Sequence, residues 1–120
     1  MYDIRIDQAR NRLYITLTGF FEVAEAKKCA DEIIAATKKL HAGYDVINDI
    51  SHFKPGSPEV AKEIERAQTH VATSGVRRGV RVVGEAAIAG MQFGRTGRQT
   101  GYNSTNVATL EEAEKLLSQT

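Results

Sequence analysis

Cysteine is nearly missing from this chain: Cys29 stands alone among 120 residues. A single thiol closes no internal disulfide and offers no cysteine cluster for zinc. Long apolar runs are missing too; none approaches the ~20 residues of a membrane span. The opening Met1-Tyr2-Asp3-Ile4-Arg5 lacks the basic-then-apolar pattern of a secretory leader. A cytoplasmic protein without an integral membrane segment is the expectation. There is no repeat, no low-complexity segment and no linker, so residues 1–120 read as one domain. A chain of this size buries a core without metal or disulfide. Charge of one sign is also scarce, the net value being +1. That falls well short of the basic domain a nucleic-acid partner calls for. The distribution is uneven, however. Residues 76–108 carry Arg77, Arg78, Arg81, Arg95 and Arg98 against Glu85 alone, a local +4 that leaves −3 for the rest. Such a face attracts anions.

What is present is periodic. Tyr2–Asp7 and Arg12–Thr18 alternate with period two around the polar turn Gln8-Ala9-Arg10-Asn11. This predicts a β-hairpin with Ile4, Ile6, Leu13, Ile15 and Leu17 facing the core. From Phe20 to about Leu40 the apolar positions Val23, Ala26, Ala30, Ile33 and Leu40, with Cys29 and Ile34 beside them, follow a helical stripe. Lys38 and Lys39 are expected in its last turn and Gly43 at its stop. A strand over 44–50 follows, and a helix over 58–73 with Val60, Ile64, Ala67 and Val71 inward. Next come a strand over 79–84, a turn at 103–106, a short edge strand at Val107-Ala108, and a last helix capped by Thr109 with Glu112 as its box partner. In that last helix Leu110, Ala113, Leu116 and Leu117 are expected to face in. Residues 85–101 fit two readings. Gly90, Gly94, Gly97 and Gly101 fall on one face if the stretch is a helix, while Gly94-Arg95-Thr96-Gly97-Arg98 makes an anion-cradling nest if it is a loop. The helix is favoured by the apolar density of Ala86–Phe93. The order β-β-α-β-α-β-α-(β)-α is an α/β domain with a mostly parallel mixed sheet after the hairpin and about four helices.

The stretch from Val46 to Glu59 organises the rest: a buried strand, a polar loop, and the helix start Ser57-Pro58-Glu59. In open α/β sheets the outlet of such a strand is where ligands meet the protein. Asp49 either braces the loop 51–57 or serves a ligand site with Ser51 and His52. Ser57 is a helix cap, worth ~1 kcal/mol, or a phosphorylation and anion-binding position. Phe53, in a loop expected to be exposed, covers the core or anchors a partner. Arg95 and Arg98 form a solvated helix face or an anion clamp. His52 has no partner at metal-ligand spacing, since His41 and His70 end two different helices. No Gly-x-Ser-x-Gly elbow, P-loop or dinucleotide fingerprint is present. No metal or cofactor is expected, and catalysis by Ser51 or Ser57 with His52 is the least favoured use of these residues.

The element order, the strand end Asp49-Ile50-Ser51, the run Met91-Gln92-Phe93 and the later Thr109-Leu110-Glu111-Glu112-Ala113 together resemble the SpoIIAA-like, STAS-related proteins. These include small bacterial domains described as STAS/SEC14-like. The resemblance covers nearly the whole chain. It implies a non-enzymatic regulatory module that binds a protein partner. In some members a serine at the start of the helix after the Asp-Leu-Ser strand is a phosphorylation switch, and the matching region here is Ser57-Pro58-Glu59. The family's acidic-Ser-Ser-Gly or Ser-Thr-Gly run is absent, and Pro58 stands near the place of the switch serine. The SEC14-like label implies an alternative, a carrier of a lipid or other apolar molecule. A small hydrolase is the third reading. The glycine-lined 90–101 face also suggests a homodimer through close helix contact.

Overall fold

The structure is a computed structural model, and it describes residues 1–54, 56–84 and 104–118. The alternating N-terminal segments form strands β1 (Tyr2–Asp7) and β2 (Arg12–Gly19). They pair antiparallel from Tyr2↔Leu17 to Asp7↔Arg12. Asn11 takes φ 53 at the turn, a left-handed conformation that asparagine adopts more readily than most residues. Helix α1 is Val23–Thr37, and strand β3 is Tyr44–Phe53. Helix α2 is Pro58–Thr73 and strand β4 is Val76–Val82. Strand β5, Ser104–Val107, and helix α3, Leu110–Ser118, complete the described elements.

The five strands lie in the order β1-β2-β3-β4-β5. Every pairing after the hairpin is parallel, as strand–helix–strand crossovers require. The crossovers β2-α1-β3 and β3-α2-β4 step in the same direction along the sheet. Crossovers of one hand stepping one way place their helices on one face, and α1 and α2 do pack on each other. Under them lies the larger core: Leu13, Ile15 and Leu17 of β2, Val46 and Ile50 of β3, and the inner faces of both helices. The opposite face carries a smaller core of Tyr14, Ile47, Val80 and Val82, closed by Ala113 and Leu117 of α3. Period-two alternation decides which residue goes to which face.

The elements depart from the sequence expectation at their ends. Helix α1 starts at Val23, not Phe20, and ends at Thr37, so Lys38 is its C-cap and Lys39 lies beyond it. Val23, in the first turn, is 45% exposed rather than buried. Leu110, the first residue of α3, is likewise 42% exposed rather than facing in. Strand β4 begins at Val76, three residues early. Arg77 can enter it because its Nε and Nη2 donate to the buried Asp45 carboxylate at 2.9 and 2.6 Å. Gly75 makes the reversal from α2 into β4 at φ +92, and a Cβ there would stand 3.3 Å from Ala42 Cα. Residues 104–107, expected as turn and edge, are all strand. Three helices are formed among the described residues; the expected helix over 85–101 lies outside them.

The most consequential shift is in β3. It runs through Ser51, His52 and Phe53, because Thr18 and Gly19 of β2 continue to pair with His52 and Phe53. The register steps from Thr16↔Asp49 to Thr18↔His52, so β3 carries one extra residue there. A one-residue slip reverses which face the following side chains meet. Ile50 and Phe53 therefore both reach the large core. Residues 51–53 of the expected loop 51–57 therefore belong to β3.

Candidate functional site

The carboxyl ends of β2 and β3 and the starts of α1 and α2 meet at one end of the sheet. Gly19 closes β2 at φ +72, and its carbonyl accepts from the Lys54 amide at 3.1 Å. This ties the two strand outlets together. Phe21 turns inward, 7% exposed, and meets Phe53 edge-on with ring centroids 5.5 Å apart. Of the two roles open to Phe53, covering the core is the one the geometry shows: it is half-buried and packed against the large cluster. Its neighbour in the turn, Phe20, points out and is 68% exposed, with Lys54 Nζ 5.5 Å from its ring centre. Phe20, Val23, His52, Lys54 and Ser57 are all exposed and lie on these neighbouring segments.

The polar candidates are engaged locally. The Asp49 carboxylate accepts from the Ser51 amide at 3.1 Å and from the Ser51 hydroxyl at 2.6 Å. The two residues brace the irregular stretch of β3. His52 is exposed, and no hydrogen bond among the described residues joins it to Ser51, Asp49 or Ser57. Ser57 caps α2: its Oγ accepts from the Val60 amide at 3.4 Å, and Pro58 occupies the first helical turn. Glu59 shares that end. Its own backbone amide, then Ser57, hold its carboxyl below the usual carboxylate range. Arg95 and Arg98 lie outside the described residues, so the basic segment is not placed. Among the described residues no group of three His, Cys, Asp or Glu side chains is arranged to hold a metal ion.

Concavities occur elsewhere among the described residues. A partly open cleft of about 40 Å³ lies between α1, α2 and the sheet, with Ile15, Val46, Ala26, Ala30, Ala67 and Gln68 among its lining. On the opposite face a shallow groove of about 450 Å³ runs between the hairpin and the start of α3, lined by Arg5, Arg10, Tyr14, Leu110, Glu111 and Glu114. Tyr14 joins its two sides. Arg5 lies 4.0 Å from the Tyr14 ring centre, and Tyr14 donates to Glu114 at 2.6 Å.

The sequence reading overlooked Phe20 and Lys54, because Phe20 was absorbed into the expected helix. The available signal was the pair Phe20-Phe21 directly after a strand-ending glycine, where successive side chains point opposite ways and only one can be buried. It also overlooked Gln68. That amide falls at i+4 from Ile64 on an otherwise apolar stripe, a pattern visible without the structure. No protein-family model matches the chain, and no curated protein matches it. Among the described residues no helix is long and apolar enough to cross a membrane.

Proposed function

We propose that the chain is a non-enzymatic interaction module of the SpoIIAA-like, STAS-related type. It engages a protein partner through the surface made by Phe20, Val23, His52, Lys54 and Ser57. The observation that carries this reading is Phe20. A phenylalanine 68% exposed, beside a lysine and next to a tied pair of strand outlets, is the kind of aromatic anchor that dominates protein interfaces. The hairpin followed by parallel βα units accords with the family resemblance. A lipid carrier is supported less, because the cleft under the helices holds about 40 Å³, against ~300–1,000 Å³ for drug-sized ligand pockets. A hydrolase is supported least. The Ser51 hydroxyl is bound to Asp49, and among the described residues no histidine is hydrogen-bonded to it to act as its base.

The test is a photo-crosslinking residue placed at position 20 in cells, with a second chain carrying it at Glu65 on the outer face of α2. A discrete adduct at position 20, absent at 65 and lost when Lys54→Glu is added, is the expected result. No adduct at position 20, or the same adduct from both positions, would overturn the proposal.

A further inference from the structure

The groove between the hairpin and α3 has walls of opposite charge. Arg5 of β1 and Arg10 of the turn stand on one side, and Glu111 and Glu114 of α3 on the other. Tyr14 and Leu110 supply the apolar lining between them. Arg10 and Glu114 are balanced within the protein. The Arg10 guanidinium lies 3.5 Å from Asp7, and Glu114 receives both the Tyr14 hydroxyl and the Arg12 guanidinium. Arg5 and Glu111 are not: among the described residues no carboxylate pairs with Arg5 and no cation with Glu111. Both are exposed, and standing on opposite walls they do not neutralise each other. Arg5 is also positioned in advance. Its guanidinium carbon lies 4.0 Å from the Tyr14 ring centre, and Tyr14 is itself fixed by its bond to Glu114. A guanidinium laid on an aromatic face keeps its edge N–H donors free, and a carboxylate takes two of them at once.

We propose that this groove binds a short linear zwitterion, a carboxylate and a primary ammonium separated by an aliphatic spacer. The carboxylate meets the free edge of Arg5, the ammonium meets Glu111, and the spacer covers the exposed Leu110 beside the rim of Tyr14. The chemistry follows from the two charges the protein leaves unanswered. A ligand with one charge satisfies only one wall, and a ligand whose charges sit on neighbouring atoms does not span the Tyr14 ring to reach both. The space suffices, since about 450 Å³ falls within the ~300–1,000 Å³ of small-ligand sites. The groove is separate from the outward surface around Phe20, and the inference does not rest on that surface's role.

6-Aminohexanoate, hexanoate and hexylamine share one carbon chain and carry both charges, only the negative one and only the positive one. Each is titrated into the full chain at low ionic strength and followed by NMR of the Leu110 methyls and the Tyr14 ring. Saturable shifts at both residues are expected with 6-aminohexanoate. Its affinity should exceed that of either analogue by about threefold or more, the scale of one exposed ion pair, and added salt should narrow the difference. Arg5→Gln should lower the affinity for 6-aminohexanoate to that of hexylamine on the unaltered chain, and Glu111→Gln to that of hexanoate. Equal affinity for the three compounds, a preference unchanged in both variants, or no saturable shift at Leu110 and Tyr14 would each overturn the proposal. If either variant does not fold, the comparison of the three compounds on the unaltered chain decides alone.

Discussion

Ser57 and Glu59 share the positive end of α2, and their division of labour bears on whether Ser57 can act as a switch. The Ser57 oxygen satisfies the Val60 amide, while Glu59 already supplies the negative charge that end favours. A phosphate on Ser57 would meet that carboxylate at close quarters. Ser57→Ala should lower stability by about 1 kcal/mol, measured by urea unfolding at neutral pH, whereas Ser57→Asp should retain most of it. Because the Glu59 carboxyl is held below its ordinary range, its contribution is full above that range and is lost as pH falls through the lowered value. The gap between wild type and Glu59→Gln should therefore close on acidification; a gap constant with pH would contradict this. Cys29 has the opposite sign. Burial first, then Glu32 and Glu25, push its thiol from 9.0 to about 12. The unfolded chain loses that proton first, so stability is intact below about pH 9 and declines as pH rises toward 12. Cys29→Ala should flatten the stability profile across that window. An unchanged alkaline slope would count against a buried neutral thiol. At this scale the caps were legible in the sequence, because Ser57-Pro58-Glu59 and Thr109–Glu112 are local patterns with local geometry. Thr109 does cap α3, accepting from the Glu112 amide at 3.2 Å. Phe53 was not legible. Its burial depends on an extra residue in β3 that only the pairing with β2 defines.

Among the elements, α3 is held to the sheet by a polar contact as well as by its apolar stripe. Arg12 is buried, and its guanidinium reaches Glu114 at 3.4 Å, while Tyr14 donates to the same carboxylate. Removing either end of this contact should have unequal consequences. Glu114→Ala leaves the Arg12 charge buried without its counter-ion and should destabilise by about 1–3 kcal/mol, since Glu114 is itself partly solvated. Arg12→Met removes the charge and keeps the volume, and should be near neutral. Equal losses from the two replacements would show that the contact acts through packing alone. The helices themselves were readable from their stripes, and α2 runs from Pro58 to Thr73 as its spacing predicts. Strand ends were less readable. An arginine such as Arg77 argues for a loop until Asp45, 32 positions earlier in the chain, is seen to receive it.

For the molecule as a whole, the described strands follow one another across the sheet without a reversal of order. Ligand crevices in open α/β sheets arise where the strand order reverses and neighbouring crossovers part to opposite faces. From β2 to β5 the order runs one way, and α1 and α2 lie side by side on one face. The expectation that ligands meet the protein at the end of β3 rests on the strand outlet alone, and no local pattern in the sequence reveals strand order. The same order leaves β1 at one margin, paired only with β2 among the described strands. An open margin invites edge-to-edge association, which charged side chains on the edge strand discourage. Tyr2-Asp3-Ile4-Arg5-Ile6 is such a guarded strand: Asp3 and Arg5 are exposed, while Tyr2, Ile4 and Ile6 pack on the large core. Asp3→Val with Arg5→Val converts it into five consecutive β-prone, uncharged residues. The doubly substituted chain should sediment as larger species than the unaltered chain at matched concentration, increasingly so as concentration rises. Asp3→Lys, which keeps a charge at the margin, should not. Identical sedimentation of all three chains would mean that these charges do not guard the edge.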